Sequence, residues 1–214
     1  MSNYVISISR EFGSGGRLIG KRLDAQLGIP CYDRTIIQKT AEKSGLSPDF
    51  IARAEERARS FFHLSVTPIG AGIPAFTLQG VPVSHQAFFA QSEVIRELAD
   101  EGPCVIVGRC SDYVLGDRPD CLKVFIHADM PSRILRCAEE YHVTADNIER
   151  YINQMDRGRA NYYSYYTGHT WGNMRRYDLT LNSSTTGIDG AVEMIAQLVR
   201  LRSAQLDQAP TQAP

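Results

Sequence analysis

Four short apolar runs, separated by longer segments with helical periodicity, most constrain the fold of this chain. They cover residues 4–9 (YVISIS), 104–108 (CVIVG), 122–128 (LKVFIHA) and 177–183 (YDLTLNS), and a fifth short strand is predicted at 29–33. The second and third runs are almost continuously apolar, which is typical of strands covered by helices on both faces. We therefore expect an α/β fold with a mainly parallel five-stranded sheet.

Helical patterns occupy the segments around these strands: 17–27, 34–45, about 48–60, 83–102, 130–142, 146–166 and 187–202. Because parallel strands are joined by right-handed crossovers, this alternation predicts a three-layer, doubly wound sandwich that binds ligands at the carboxyl ends of its strands. Residues 61–83 mix Gly and Pro with apolar side chains, so they predict a functional loop, the arm of an inserted lobe or a subunit contact. Residues 203–214 are polar and aperiodic, and we expect them to be disordered.

The composition limits the class of protein. A chain of 214 residues that is 43% hydrophobic can bury one sizeable core, and its net charge of -1 creates no global field for nucleic acid or an anionic membrane. Five cysteines without a C-x-x-C pair indicate a reduced, cytoplasmic protein, and no run approaches the roughly 18 apolar residues of a membrane span. The five histidines lack metal-binding spacing, so no metal site built from protein ligands alone is predicted.

A glycine-rich stretch, EFGSGGRLIG, lies between the first predicted strand and the first predicted helix. Glycines permit unusual backbone angles and a helix N-terminus favours anions, so this context predicts a phosphate-binding loop. The alternative is a tight strand-to-helix turn with no ligand. The predicted nucleotide-binding residues are Gly13, Ser14, Gly15, Gly16, Arg17 and Leu18.

The loop departs from the standard phosphate-loop motif, G-x-x-x-x-G-K-[ST], at three positions, because the chain has Glu11, Arg17 and Leu18 there. Arg17 can still bind phosphate through its guanidinium, with a geometry different from that of lysine. Leu18 offers no hydroxyl to magnesium, so the ion would be held by phosphates, water and one of three candidate side chains. These candidates are Ser14, Glu11 and Asp33.

With the loop placed, five segments of the chain together resemble the cytidylate-kinase-like P-loop proteins, which are relatives of the nucleoside monophosphate kinases. The segments are SREFGSGGR, PCYDR (30–34), CVIVGRCSDYVL (104–115), DRGRANYYSYYTGHTWG (156–172) and YDLTLNSS (177–184). The resemblance implies a P-loop kinase fold in one domain over 1–202, with an acceptor-binding helical lobe at about 40–98 and a lid at about 130–172. It also implies magnesium-dependent transfer of phosphate from ATP to a nucleoside monophosphate, CMP or dCMP. Homo-oligomerisation stays open.

The resemblance also suggests an acceptor-binding arginine. In cytidylate kinases an arginine after this strand holds the acceptor phosphate, and Arg109 falls in that place. The family's neighbouring carboxylates are replaced by Val107 and Cys110, which leaves Asp112 as the nearest acidic residue. A surface arginine without a ligand is the alternative. Asp33 is predicted to orient the acceptor or a magnesium-bound water, or else to cap the helix that begins at about residue 34.

The lid pattern of the family, R-x-x-x-D-x-x-R, is half retained. Asp156 and Arg159 are in register, Ile152 replaces the first arginine, and Arg157 is a candidate substitute. We predict that Arg17, Asp156 and Arg159 form the catalytic set, because phosphoryl transfer depends on positioning and on neutralising charge. An exposed i,i+3 ion pair between Asp156 and Arg159 is the alternative.

Two questions stay open at the level of sequence. The aromatic cluster could stack a base or line a subunit interface, but helix packing is the favoured interpretation; its members are Tyr162, Tyr163, Tyr165, Tyr166 and Trp171. The chain could also be a nucleotide sensor or assembly module without kinase activity, or a kinase for another small metabolite.

Overall fold

The computed structural model of the chain describes residues 4–53 and 83–208. The strands are β1 (Val5–Arg10), β2 (Cys31–Tyr32), β3 (Cys104–Val107), β4 (Cys121–His127) and β5 (Leu179–Asn182). The helices are α1 (Gly16–Leu27), α2 (Thr35–Ser44), α3 (Val83–Glu101), α4 (Ser111–Val114), α5 (Met130–Glu139), α6 (Ile148–Thr167) and α7 (Ser183–Gln208), with a 3-10 turn at Met174–Arg176.

The five strands form one parallel sheet in the order β2-β3-β1-β4-β5. The central strand β1 pairs on one side with β3, where Ile8 is opposite Val107, and on the other with β4, where Arg10 is opposite Ile126. This order brings the carboxyl ends of β1, β3 and β4 to one edge, directly beside the loop that follows β1. The predicted parallel sheet is confirmed, although β2 is only two residues long.

Alternation along β1 separates the two halves of the core. Ile6 and Ile8 pack with Ile19 of α1 and Ile195 of α7 on one face of the sheet. Val5 packs on the opposite face with apolar residues of α3 and β3. Since every second side chain of a strand points to the same face, both faces of β1 are covered by helices. The predicted three-layer arrangement is confirmed.

Several helix boundaries in the structure differ from those predicted. The last helix begins earlier than predicted, is broken at Gly187 (φ 67°, ψ 178°) and continues to Gln208. Residues 203–208 are therefore helical, and the prediction of disorder there is wrong; residues 209–214 lie outside the described part. Of the predicted helix at 48–60, residues 48–53 are described and helical. Of the predicted loop at 61–83, residues 61–82 lie outside the described residues, and Val83 is the first residue of α3.

Within the two described ranges, none of the helices combines the length and the hydropathy needed to cross a membrane. All five cysteines are free, and burial raises the pKa of the Cys104 and Cys121 thiols to about 12. These two thiols therefore act as small apolar side chains of the core.

Candidate active site

The glycine loop between β1 and α1 has the backbone that its sequence predicts. Gly13 and Gly15 adopt left-handed conformations, with φ of 79° and 82°, and Gly15 is the N-cap of α1. A Cβ on Gly15 would lie 2.3 Å from Cδ1 of Ile188. The backbone angle thus favours glycine at position 15, and a side chain there would also displace Ile188.

The carbonyl groups of this loop are bound by side chains from helices α5, α6 and α7. The donor-to-acceptor distances are 2.7 Å for Arg133 Nε to Phe12 O, 2.6 Å for Arg136 Nη1 to Gly13 O, 2.9 Å for Arg159 Nη1 to Arg10 O and 2.6 Å for Ser183 Oγ to Ser14 O. The first backbone N–H groups of α1 have no intrahelical acceptor, as at every helix start. A loop whose carbonyls are occupied and whose helix start offers N–H groups is suited to bind an anion.

Asp156 joins the loop to the two helices of the predicted lid. Its Oδ1 accepts a hydrogen bond from the backbone N–H of Phe12 at 2.7 Å, and its Oδ2 pairs with Arg133. Arg133 is only 5% exposed and also lies 3.3 Å from the carboxylate of Glu11. Arg159 lies 3.7 Å from Asp156 and packs over the ring of Phe12. Asp156 and Arg159 are thus together, as predicted, and both contact the loop itself.

A second charged group lies where α1, β2 and β3 meet. Arg17 Nε is 2.8 Å from Asp33 Oδ2, and Arg109 Nη1 donates to the backbone carbonyl of Asp33 at 2.7 Å. Arg17 Nε has no aligned hydrogen-bond acceptor among the described residues, so its contact with Asp33 is an ion pair. Helix α2 has Arg34 as its N-cap, so Asp33 does not cap it. The structure brings together the three residues Arg17, Asp33 and Arg109.

The turn after β3 has an unusual backbone. Gly108, Arg109 and Cys110 are consecutive residues with positive φ, at 79°, 55° and 55°. Left-handed angles at non-glycine residues cost on the order of 1–3 kcal/mol each and cluster at functional sites. This turn directs Arg109 towards Asp33 and starts α4 at Ser111.

Beneath this turn lies a buried polar cluster that the sequence did not reveal as such. Asp112 is 3% exposed and accepts hydrogen bonds from Tyr163 Oη at 2.7 Å and from Ser9 Oγ at 3.3 Å. Burial raises the pKa of the Asp112 carboxyl, against the opposing effect of these hydrogen bonds, and burial likewise raises the pKa of Tyr163. The cluster joins β1, the β3–α4 turn and α6, so it supports the position of Arg109.

All three candidate magnesium ligands already have partners within the protein. Ser14 is fully buried and its hydroxyl donates to the carbonyl of Glu11 at 2.9 Å. The Glu11 carboxylate accepts from the N–H of Ala128 at 3.2 Å and pairs with Arg133. The Asp33 carboxylate pairs with Arg17 at 2.8 Å, outside the buried contacts of the glycine loop. Among the residues that the structure describes, no three acidic, His or Cys side chains group as a metal site would require. The residues therefore fit a nucleotide phosphate, with at most one carboxylate for the ion.

The remaining candidate residues differ in burial. Leu18 is half-buried, Ile152 is in the core, and Arg157 is exposed on the outer side of α6 beside Arg150. Arg157 therefore does not replace the missing lid arginine.

The aromatic cluster packs helices against one another. Tyr162 and Tyr163 are buried with Phe88, and Tyr166 stacks on Phe88 at a centroid distance of 4.0 Å. The favoured packing interpretation is confirmed for these residues, whereas Tyr165 is 49% exposed.

Sequence reasoning missed two arginines at the loop. Arg136 was not singled out, although it lies three residues after Arg133 on α5 and therefore on the same helical face. Arg10 is the last residue of β1, and its side chain lies close to Gly16 and Gly108. The signal was available in the pattern SREFGSGG, where an arginine ends an otherwise apolar strand directly before a glycine loop.

Comparison with known proteins places this geometry in context. A structure of an uncharacterized protein from Eubacterium ventriosum is similar, with 25% identity, 92% of this chain and 98% of that chain covered, and a TM-score of 0.68. Shikimate kinase from Bacteroides thetaiotaomicron has 13% identity, 93% and 99% coverage and a TM-score of 0.54. Shikimate kinase from Acinetobacter baumannii in complex with shikimate has 12% identity, 92% and 93% coverage and a TM-score of 0.51.

These likenesses confirm the P-loop kinase fold. A search of curated proteins gives no match. The model of the cytidylate kinase-like family matches residues 5–185, which include the glycine loop, the turn after β3 and helices α5 and α6, whose arginines bind the loop. This match supports a kinase-type phosphotransferase. The chain belongs to the cytidylate kinase-like family.

Proposed function

We propose that this protein transfers the terminal phosphoryl group of ATP to a nucleoside monophosphate, with CMP or dCMP as the acceptor. One observation carries the proposal: a glycine loop whose carbonyls are bound by protein donors lies directly beside the charged group of Arg17, Asp33 and Arg109. The loop and the start of α1 would hold the ATP phosphates, and the three side chains would face the acceptor.

In the reaction, an oxygen of the acceptor phosphate forms a bond to the terminal phosphorus of ATP. The bond from that phosphorus to the bridging oxygen breaks, and the bridging oxygen leaves with ADP and the electron pair. Magnesium, when bound with the nucleotide and next to Asp33, neutralises phosphate charge. The acceptor phosphate is itself an anion, so its attack needs no strong base.

The side chains of this protein supply the positioning. Arg109 would bind the acceptor phosphate through its guanidinium, and Asp33 would hold Arg109 and Arg17 at a fixed separation. Arg17 would neutralise charge on the phosphates from the start of α1. Asp156 and Arg159 would act mainly by fixing the shape of the loop, because their observed contacts are with Phe12 and Arg10.

A second candidate keeps the reaction and changes the acceptor. It is favoured by Val107 and Cys110, which replace the carboxylates that cytidylate kinases have beside the acceptor arginine. An acceptor other than a cytosine nucleotide, such as a small hydroxylated acid, would then receive the phosphate, and Asp33 would accept the hydroxyl proton.

The test is an assay of ADP formation with ATP and magnesium against a panel of nucleoside monophosphates and small hydroxy acids. We expect CMP or dCMP to give the highest kcat/KM. Arg109→Ala should raise the KM of the acceptor at least tenfold while changing ATP affinity little. Arg22→Ala is the matched control, because Arg22 is an exposed arginine of α1 that pairs with Asp189.

Turnover of a hydroxy acid but of no nucleotide would select the second candidate. ATP binding without transfer to any acceptor of the panel would reject both and would support the sensor interpretation.

A further inference from the structure

The side chain of Arg10 crosses the candidate site. A Cβ placed on Gly16 would lie 2.6 Å from Cβ and 2.9 Å from Cγ of Arg10. A Cβ placed on Gly108 would lie 2.0 Å from Nη1 and 2.9 Å from Cζ of Arg10. The aliphatic part of the side chain therefore lies against the first residue of α1, and the guanidinium lies against the turn after β3.

This path explains two glycines in separate parts of the sequence. Gly16 is not among the glycines with positive φ, so backbone conformation does not require glycine there. The Cβ and Cγ atoms of Arg10 require glycine at this position, because a side chain on residue 16 would overlap them. Gly108 has a φ of 79°, which favours glycine, and a larger residue there would also displace the guanidinium of Arg10. Two glycines thus make room for one arginine.

The side chains of Arg10 and Arg17 occupy different positions in the candidate site. Arg17 stands at the motif position of the lysine, but its Nε pairs with Asp33 and its side chain is 43% exposed. Arg10 instead passes over the helix start at Gly16 and ends beside Gly108, one residue before Arg109. Its guanidinium therefore lies between the loop that would hold ATP and the arginine that would hold the acceptor.

The backbone of Arg10 is held firmly. Arg10 pairs with Ile126 of β4, and the Arg10 carbonyl accepts a hydrogen bond from Arg159 at 2.9 Å. A charged group placed on a rigid strand end costs little reorganisation when the reaction develops charge.

We infer that Arg10 contacts the phosphoryl group in transfer and supplies the charge that the loop lysine supplies in the standard motif. This inference rests on the proposed function, because it assumes that a phosphoryl group passes between loop and acceptor. A guanidinium can donate two parallel hydrogen bonds to phosphate oxygens, so the contact would be strongest when the phosphoryl group lies midway between donor and acceptor.

The first test compares Arg10→Ala and Arg10→Lys with the wild-type protein. Arg10→Ala should lower kcat at least 100-fold and change the Kd of ADP less than fivefold, and Arg10→Lys should recover part of the rate. A readout without turnover is the melting temperature with ADP, acceptor and aluminium fluoride, which mimics the phosphoryl group in transfer. The wild-type protein should be stabilised more by this mixture than by ADP and acceptor alone, and Arg10→Ala should lose that difference.

The second test is a double-mutant cycle with Gly108→Ala, which adds a methyl group where the guanidinium lies. Gly108→Ala should lower kcat strongly in the wild-type background and at most a few-fold more in Arg10→Ala. The backbone strain at residue 108 is the same in both backgrounds and cancels. If Gly108→Ala fails to fold, the Arg10→Lys and aluminium fluoride measurements still decide.

The outcomes separate this inference from the proposed function. An active wild-type protein with an Arg10→Ala variant as active as Arg22→Ala would overturn the role of Arg10 alone. Equal loss of ADP binding and of the aluminium fluoride effect would also overturn it, because Arg10 would then hold the nucleotide and not the group in transfer. A wild-type protein that binds no nucleotide would instead overturn the proposed function.

Discussion

Replacing Arg133 by methionine should loosen the glycine loop from helices α5 and α6. Arg133 is 5% exposed, donates to the Phe12 carbonyl at 2.7 Å and pairs with Asp156. Methionine keeps much of the aliphatic volume and removes the charge and the donors. The variant therefore leaves the carboxylates of Asp156 and Glu11 and the carbonyl of Phe12 without their shared partner.

The expected cost follows from burial. Breaking a buried pair by removing one partner typically costs about 3–5 kcal/mol. Asp156 is 16% exposed, keeps the Phe12 N–H at 2.7 Å and lies 3.7 Å from Arg159, so we expect less, about 2–3 kcal/mol. For a chain of this size, this corresponds to a decrease in Tm of roughly 4–12 °C.

Thermal and urea denaturation measure this effect, with Arg157→Met as the control because Arg157 is an exposed arginine on α6, the helix that carries Asp156. The double variant Arg133→Met/Asp156→Asn should be more stable than the sum of the single changes by about 1–2 kcal/mol, since the uncompensated charge of Asp156 is then absent. If Arg133→Met melts within about 1 °C of Arg157→Met, the pair does not hold the loop and our reading of these contacts is refuted.

Three further predictions concern Gly15 of the glycine loop, Arg17 and the buried Asp112. Gly15→Ala should abolish the ATP-dependent rise in Tm of the wild-type protein, because the methyl group of the alanine would overlap Ile188. In the wild-type protein this rise corresponds to a stabilisation of about 2.7 kcal/mol at a hundredfold excess of ATP over its Kd. An unchanged rise would make the loop a simple turn. Arg17→Ala should lower kcat about 100-fold with a much smaller change in ATP affinity, measured by steady-state kinetics and titration, and equal losses would assign it to ground-state binding. Asp112→Asn should remove a pH dependence of stability. Burial raises the pKa of Asp112 in the folded state, so the folded protein binds more protons than the unfolded chain. The stability of the wild-type protein therefore falls as pH rises above about 4. Denaturation midpoints from pH 4 to 8 check this, and parallel curves for the two proteins would contradict it.

Much of the fold was predictable because it depends on local pattern. The apolar runs at 104–108 and 122–128 are typical of strands buried on both faces, and the helices between strands indicate parallel pairing. The prediction failed at 203–208, where polar composition suggested a tail although the helix continues past Val199, whose side chain packs in the core.

The candidate site was predictable only in part. Asp33 was identified from its place at the end of a predicted strand, and Arg109 from the resemblance to cytidylate kinases; their meeting follows from strand order. The buried contact of Asp112 with Tyr163 joins residues 51 positions apart, and no local pattern indicates it.

The sequence by itself determined the alternation of strands and helices and the glycine loop after β1, since backbone preference and apolar periodicity act over a few residues. Only the tertiary structure decided which charges meet: Arg133 and Arg159 come from α5 and α6 to bind the loop, and Arg10 reaches Gly108 at the end of the neighbouring strand β3. The physical reason is that a guanidinium acts over a few ångströms in space, and only the packing of distant segments determines which partner lies within that range.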